Sequence, residues 1–563
     1  MDNLSKGAEV MRGYLLKAVV GLALLSFMAY LIGTFSPYPE MGSLPLFTIS
    51  TLTRIFITLV ISIVWGVSFG ILASTNRTAS IVITPIIDLL QSIPILGYFP
   101  LVIGFLFAYG SLGIELSVML LLFTSMAWAI FFGVLGAVKG IPTNVVESSK
   151  SFGLTGWRYV RHIVLPAIAP AIVSGANLAW SDGWFFMIAA EYIQYKGEVV
   201  VPPSGGLGVL LARAAYYYED MNLAVVLLVF ITTLVIVINS LTWHKLMERA
   251  DKGTFKPIIS IDLSGIGKLE ARAMSSFDLE DLHLPKSFSA GVQRLRRYSR
   301  AEKLIAYSAV LALTLFLMFS EAHRLPSLSA IQAGFSSPPA DLLPQLPLYI
   351  LLTMGRLGAA YLISLAVAIG LGVLAAESKL MAAIIYPIYD IGQGVPILAL
   401  FPVIYLGLTD LIGSQRVALE VTCIVMLVLD MIWYMFINIT SAVKNIPSEL
   451  REVGQLFGFK GLKRVTHLII PAILPAIVTG SILSWGTGWN TIIFSEYLPQ
   501  TDPAVPAVSV PGLGSFLDIS GYVYGNTVLL VFILMIISAI VLSMEALIWR
   551  RLLRRFEKYR MEV

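Results

Sequence analysis

Apolar runs long enough to cross a bilayer recur about six times in each half of this 563-residue chain. They lie at approximately 13–34, 50–74, 81–108, 115–138, 163–190 and 222–246, then 302–320, 347–375, 383–409, 415–443, 468–496 and 526–549. Hydrocarbon offers no partner to a backbone N–H or C=O, so such runs must become helices or strands of a closed barrel. Their length matches helices, which need roughly 20 apolar residues per crossing. Only 13% of residues are charged, against about 25% in soluble proteins. The expected fold class is therefore an all-α polytopic membrane protein. The run from Leu15 to Phe35 lacks a small-residue cleavage site and reads as a retained helix. The one cysteine, Cys423, excludes an intrachain disulfide and any cysteine-based metal cluster.

The chain is written twice. Glu147 to Gly175 returns 305 residues later as Glu452 to Gly480, with roughly half the positions identical. In each copy Glu is followed six residues on by Gly (Gly153, Gly458), then by Pro166 and Pro170 or Pro471 and Pro475. The repeat reaches further. Arg54, Pro85, Asp88, Gln91, Pro94 and Pro100 correspond to Arg356, Pro387, Asp390, Gln393, Pro396 and Pro402 at an offset of 302. Trp180, Gly183, Trp184, Glu191 and Tyr192 correspond to Trp485, Gly488, Trp489, Glu496 and Tyr497 at 305. Gly206-Leu207-Gly208 corresponds to Gly512-Leu513-Gly514. Six crossings return the chain to its starting side, so the halves form a parallel repeat. The expected division is residues 1–247, a polar linker at 248–300, and 301–563.

Lys and Arg concentrate in alternate loops, among them Lys139, Lys150, Arg158, Arg161, Lys444, Lys460, Lys463 and Arg464. Residues 35–50 and 497–525 contain none. This bias predicts cytoplasmic termini and a cytoplasmic Glu147 and Glu452 stretch in a multi-pass plasma-membrane protein of a prokaryote. The linker ends in Arg294, Arg296, Arg297 and Arg300, which suit an anionic inner leaflet.

Pro142 and Pro447 can each open a short helix at its first turn, and Gly153 and Gly458 can end it in the left-handed conformation. A second short helical piece, about 156–164, runs into Pro166. Val146, Phe152, Leu154 and Trp157, rimmed by Glu147, Lys150, Arg158 and Arg161, make a knob suited to a groove on a soluble partner. The alternative is an interfacial loop, amphipathic because it lies at the headgroups.

The Glu-(six residues)-Gly-(thirteen residues)-Pro pattern resembles the "EAA" loop of binding-protein-dependent ABC-importer permeases. Asp88-Leu-Leu-Gln-Ser-Ile-Pro94, Asp390-Ile-Gly-Gln-Gly-Val-Pro396 and the outer Trp, Glu and Gly-Leu-Gly features resemble the nitrate/sulfonate/taurine/bicarbonate branch. The resemblance covers the whole chain as two fused permease domains, each a six-helix domain of the type I importer fold, about 12 transmembrane helices in all. It implies that Glu147, Phe152, Gly153, Arg158, Glu452, Phe457, Gly458 and Lys463 dock two ABC ATPase subunits. It further implies an extracytoplasmic substrate-binding protein. The two Ala of the family pattern are Ser148-Ser149 and Val453-Gly454 here, which bears on which ATPases fit. No G-x-x-x-x-G-K-[ST] occurs; Gly265-Ile-Gly-Lys268 is followed by Leu269 and lacks the hydroxyl for Mg²⁺. The chain is thus expected to be no enzyme and to bind no cofactor, with ATP and Mg²⁺ on the partners. Nothing points to nucleic acid.

Polar groups inside spans are costly and are candidates for function. Asn177, Trp180, Asp182 and Trp184, with Trp485, Thr487, Trp489 and Asn490, are candidates for the substrate path, the tryptophans alternatively being packing residues. Asp182 matches Thr487, an asymmetry open to a fused chain and forbidden to a homodimer. Gln91 and Gln393 either line the path or satisfy a kinked backbone. Glu191 and Glu496 are expected at the outer rim, and Arg54 and Arg356 either attract an anion or anchor by snorkelling. Asp430 has no partner evident from sequence. His162 and His467 have no neighbouring ligand residues, and no metal site is expected. Two other readings compete. An ion-coupled secondary transporter with parallel six-helix halves leaves the duplicated docking loops unexplained. A membrane scaffold leaves the Pro-broken polar helices unexplained.

Overall fold

In the computed structural model, which describes residues 2–195, 198–253, 328–498 and 508–557, each half is built around three closely packed long helices. In the first half these are α2 (Leu44–Thr75), α5 (Gly110–Lys139) and α8 (Leu165–Glu191). In the second they are α12 (Leu346–Glu377), α15 (Gln415–Lys444) and α18 (Ile470–Ser495). The intervening elements follow the same order in both halves. They are α3 (Arg77–Ser92), α4 (Ile95–Phe107), α6 (Thr143–Ser151), α7 (Gly156–Tyr159), α9 (Leu207–Ala212) and α10 (Met221–Gly253). Their counterparts are α13 (Lys379–Gly394), α14 (Ile397–Ile412), α16 (Ser448–Leu456), α17 (Gly461–Arg464), α19 (Leu513–Asp518) and α20 (Thr527–Met544). Helix α1 (Asp2–Phe35) packs on α10, α11 (Leu328–Ser336) on α20, and α21 (Arg550–Glu557) closes the chain. Among the described residues, eight helical segments are long and apolar enough to cross a membrane. The expected run at 302–320 and most of the 248–300 linker lie outside the described residues.

Two expectations are corrected. The runs at 81–108 and 383–409 are each two helices, because Pro94 and Pro396 cannot donate the next helical hydrogen bond and hold the preceding residue extended. The piece at 156–164 is no separate helix. It continues through a π-helical turn (Val160–Val164) into α8, and Val465–Ile469 does the same before α18. The wider turn admits Pro166 and Pro471, which lack the N–H and would crowd the carbonyl four residues back. The expected all-α class holds, with two short strand pairs beside the helices. Ile193–Tyr195 pairs antiparallel with Glu198–Val200, and Tyr497–Leu498 with Val508–Ser509.

Within each triplet, small residues let backbones approach, as association in lipid requires. A Cβ built on Gly175 of α8 would lie 3.1 Å from Ile130 Cα of α5, and one on Gly480 of α18 would lie 3.1 Å from Met435 Cα of α15. Between the halves the packing is reciprocal. Helix α4 lies against α18, α19 and α20, and its counterpart α14 lies against α8, α9 and α10. The broken helix of one half thus fills the other half.

Replacing Gly175 by Leu should push α5 from α8 and destabilise the protein by about 1–3 kcal/mol, read as a lower thermal midpoint in detergent. Gly480→Leu should match it. An unchanged midpoint in both would exclude close backbone packing there.

Candidate functional site

At the end of each bundle where α5 and α15 finish, a short helix turns across the bundle. Helix α6 follows Pro142, whose carbonyl accepts from Val145 and Val146; helix α16 follows Pro447. The prolines precede the first helical residue rather than occupy it. Gly153 (φ +71°) and Gly458 (φ +68°) end the helices in the left-handed conformation. There the N–H of Leu154 reaches Ser149 O, and that of Phe459 reaches Gly454 O, both at 2.9 Å. The turn throws the next side chains outward. Phe152 is 83% exposed and Phe457 74%, and Trp157, Leu456 and Leu462 are also exposed. Glu147, Arg158, Glu452 and Lys463 are exposed around them. The side chain of Lys150 lies outside the described residues.

The two elements are not held alike. Glu377, at the end of α12, binds Arg451 of α16 at 3.1 Å and Arg464 of α17 at 2.9 Å. The equivalent first-half positions are Thr75, Val146 and Tyr159, which carry no charge. Only the second element is pinned to its long helix by this ion-pair triad.

At the opposite end each half buries an ionic cluster. Arg54 Nη1 lies 2.7 Å from Glu191 Oε1, and its Nε lies 2.8 Å from Glu115 Oε2. Thr51 Oγ1 donates to Glu191 at 2.7 Å, and the N–H of Gly208 donates to its other oxygen at 2.8 Å. Leu207 N–H donates to Thr51, and Arg54 also donates to Gly205 O and Ser204. The second half repeats the cluster with Arg356, Glu496, Glu420, Thr353, Leu513 and Gly514. Arg356 there adds a bond to Pro511 O at 3.0 Å.

Glu191 and Glu496 are 1% and 0% exposed, so they are buried anchors and not residues of a solvated rim. Arg54 and Arg356 are likewise buried and ion-paired, neither free to attract an anion nor snorkelling. The pattern explains the Gly-Leu-Gly repeat. A Cβ on Gly206 or Gly512 would lie 2.2 Å from the carboxylate of Glu191 or Glu496, so only glycine lets the backbone reach it. Thr51, Glu115, Thr353 and Glu420 escaped the sequence reading. Their signal was present, since they recur at the same 302 and 305 offsets.

The path candidates fall in different places. Trp180 packs against Trp243, and Trp485 against Trp549 and Tyr361. Asn490 accepts from Ile95 N–H at 2.7 Å, capping α4 across the two halves. Thr487 donates to Ser484 O. Trp489 is buried, Asn177 half-buried, and Gln91 exposed on α3. The side chains of Asp88, Asp390 and Gln393 lie outside the described residues. Asp182 and Trp184 are brought together with residues that the sequence reading had not grouped. They line a cavity of about 50 Å³ shared with Asp430, Trp433 and Tyr434 of α15 and with the start of α14. Asp430 does have a partner: Thr491 Oγ1 donates to it at 2.9 Å.

A duplicated helical bundle with paired short helices at one end and buried ion pairs at the other is a multi-pass membrane protein of tandem design. Residues 62–250 and 368–556 each match the family described as "binding-protein-dependent transport system inner membrane component", and the chain belongs to that family. It is 26% identical over 227 residues to a putative ABC transporter permease of Methanocaldococcus jannaschii, covering 39% of this chain and 80% of that protein. It is 28% identical over 144 residues to the taurine transport system permease of Escherichia coli, covering 26% of this chain and 50% of that protein. The nitrate import permease of Leptolyngbya laminosa is 30% identical over 146 residues, again 26% and 50%. The chain thus spans about half the length of the latter two. These matches favour a transport subunit of the ABC type over an ion-coupled secondary transporter.

Removing one partner of a buried pair strands the other charge, at about 3–5 kcal/mol. Glu191→Ala and Glu496→Ala should each lower the thermal midpoint by that equivalent, and a wild-type midpoint in either would remove the anchoring role. Glu377→Gln should raise hydrogen–deuterium exchange in α16 and leave α6 unchanged. Equal exchange in wild type and variant would show that the triad restrains nothing.

Proposed function

We propose that the chain is the complete transmembrane pathway of an ATP-driven importer, with ATP and Mg²⁺ carried by two separate ATPase subunits. One docks on α6 and α7, the other on α16 and α17. The observation that carries this reading is the matched exposure of Phe152 and Phe457, and of Trp157 and Leu462. Large apolar side chains held out by rigid caps, at equivalent positions of a repeat, are what a groove on a partner can receive. Lys139, Arg158 and Arg161, with Lys444, Lys460 and Lys463, gather at this end, which supports its cytoplasmic placement and that of both termini.

On this reading residues 1–247 and 301–563 are the two permease domains and 248–300 their cytoplasmic linker. Solute passes between the halves, delivered by an extracytoplasmic binding protein at the end formed by α9 and α19. The relatives named for taurine, nitrate and bicarbonate support a small anionic solute. Gating comes from closure of the ATPases, relayed through the two short-helix elements.

The test is charge reversal at both docking elements. Glu147→Lys with Glu452→Lys, both exposed, should leave the thermal midpoint within about 0.5 kcal/mol equivalent. It should abolish ATP-dependent uptake into proteoliposomes reconstituted with the ATPase partners. Undiminished uptake in the double variant, or full uptake by the chain alone, would falsify the proposal.

A further inference from the structure

The two short-helix elements share a shape but not a set of ties to the bundle. In the second half Glu377 ends α12 and binds both Arg451 of α16 and Arg464 of α17. Arg451 carries the tie further. Its Nη2 donates to Val443 O at 2.7 Å and its Nε to Ile446 O at 3.3 Å, so the same guanidinium also closes free carbonyls where α15 ends. Carbonyls at a helix C-terminus favour a cationic donor. One side chain of α16 thus grips two long helices at once. An isolated exposed ion pair contributes little, but these groups share partners and their side chains are only 23–28% exposed.

A second brace joins α16 to the segment that leads into α18. The rings of Phe457 and Phe459 stack with centroids 6.1 Å apart, and Phe459 lies 5.8 Å from the ring of His467. Gly454, buried on the inner side of α16, lets Leu468 of the π-helical turn approach closely. A Cβ built on it would lie 3.2 Å from that side chain.

The first half lacks these partners. Thr75, Val146 and Tyr159 stand in place of the triad, Leu154 in place of Phe459, and Ser149 in place of Gly454. Thr75 turns its hydroxyl to Ile71 O of its own helix. Ser149 and Ser151 donate to Val146 O and Glu147 O, both within α6. Among the described residues, the side chains of α6 make no hydrogen bond or ion pair outside that short helix.

We infer that the two docking elements are mechanically unequal. Helix α16 moves as one body with α12 and α15, whereas α6 tilts on α2 and α5. Coupling between distant sites is carried by packed side chains and hydrogen-bonded networks, so a push from an ATPase subunit reaches the membrane helices chiefly through the second half. Glu377, Arg451 and Arg464 are positioning residues of that coupling. Its direction rests on the docking reading above; the difference in stiffness does not.

Stiffness is measured on the full chain in lipid nanodiscs without ATPases. Ser151 and Leu456 are equivalent exposed positions of the two short helices, and the one cysteine, Cys423, is buried. A nitroxide at Ser151→Cys or at Leu456→Cys therefore reports one element. The mobile fraction of its electron paramagnetic resonance spectrum should be larger at Ser151→Cys. Glu377→Gln should raise the mobile-to-immobile ratio at Leu456→Cys by about fivefold, the upper end for a partly exposed ion-pair network, and leave Ser151→Cys unchanged. Arg451→Gln should act in the same direction and keeps the test open if Glu377→Gln fails to fold. Transplanting the triad, Thr75→Glu with Val146→Arg and Tyr159→Arg, should lower the ratio at Ser151→Cys. Equal mobility at the two sites overturns the inference, as does a ratio at Leu456→Cys indifferent to Glu377→Gln and Arg451→Gln.

A second readout tests coupling itself. Tyr217 and Tyr524 are exposed near the opposite end of the two halves. The distance between nitroxides at Tyr217→Cys and Tyr524→Cys should shift when the complex with the ATPases is trapped by ATP and vanadate. At equal bound ATPase, Glu377→Gln should shrink that shift and Thr75→Gln should leave it whole. A shift that Glu377→Gln leaves whole overturns the positioning role. No shift in the unsubstituted complex overturns the docking reading, while the mobility arm still decides the difference in stiffness.

Discussion

The structure depends on a carboxylate kept in the apolar interior of each half. Glu191 and Glu496 could not remain charged there without full compensation, since transfer of an ion from water costs several kcal/mol even after relaxation. Each receives an arginine, a threonine hydroxyl and a backbone N–H. Those partners come from α2 and from the start of α9, or from α12 and the start of α19, while the carboxylate ends α8 or α18. One charged group thus ties the long-helix triplet to the segment that turns back into the bundle. The glycines beside it follow from the same constraint, because any side chain there would occupy the carboxylate's place.

From that tie the exchange of halves follows. With α9 and α10 fixed against the triplet, their outer surfaces are left for α14 of the other half, and α19 and α20 receive α4 in the same way. The break between α3 and α4, and between α13 and α14, makes this possible. A straight helix would stay in its own bundle, whereas a proline-terminated pair can turn across. The starts of the second pieces consequently lie at the junction of the halves, where Asn490 meets Ile95.

Much of this was legible in the sequence. The duplication, the helical class and the left-handed glycine caps follow from spacing and composition, because each depends on residues near one another in the chain. What was not legible depends on long separations. Glu191 looked like a rim residue because nothing in its neighbourhood announces Arg54, 137 positions earlier. Asn490 looked like a path residue because its partner is 395 positions away. The 81–108 run looked like one helix because its apolar character persists through Pro94, and hydrophobicity does not register where a donor is missing. Glu115 and Glu420 could have been found by asking which charged residues recur at the repeat's own offsets.

Fusion of the two halves also sets a count. Two identical unfused chains would present Asp182, Phe185 and Asp430 in duplicate, giving two equivalent cavities related by a true two-fold axis. In a single polypeptide each of these residues occurs once and always faces the same companion. The junction therefore has a built-in sidedness. Each substitution there can drift without being mirrored in the other half.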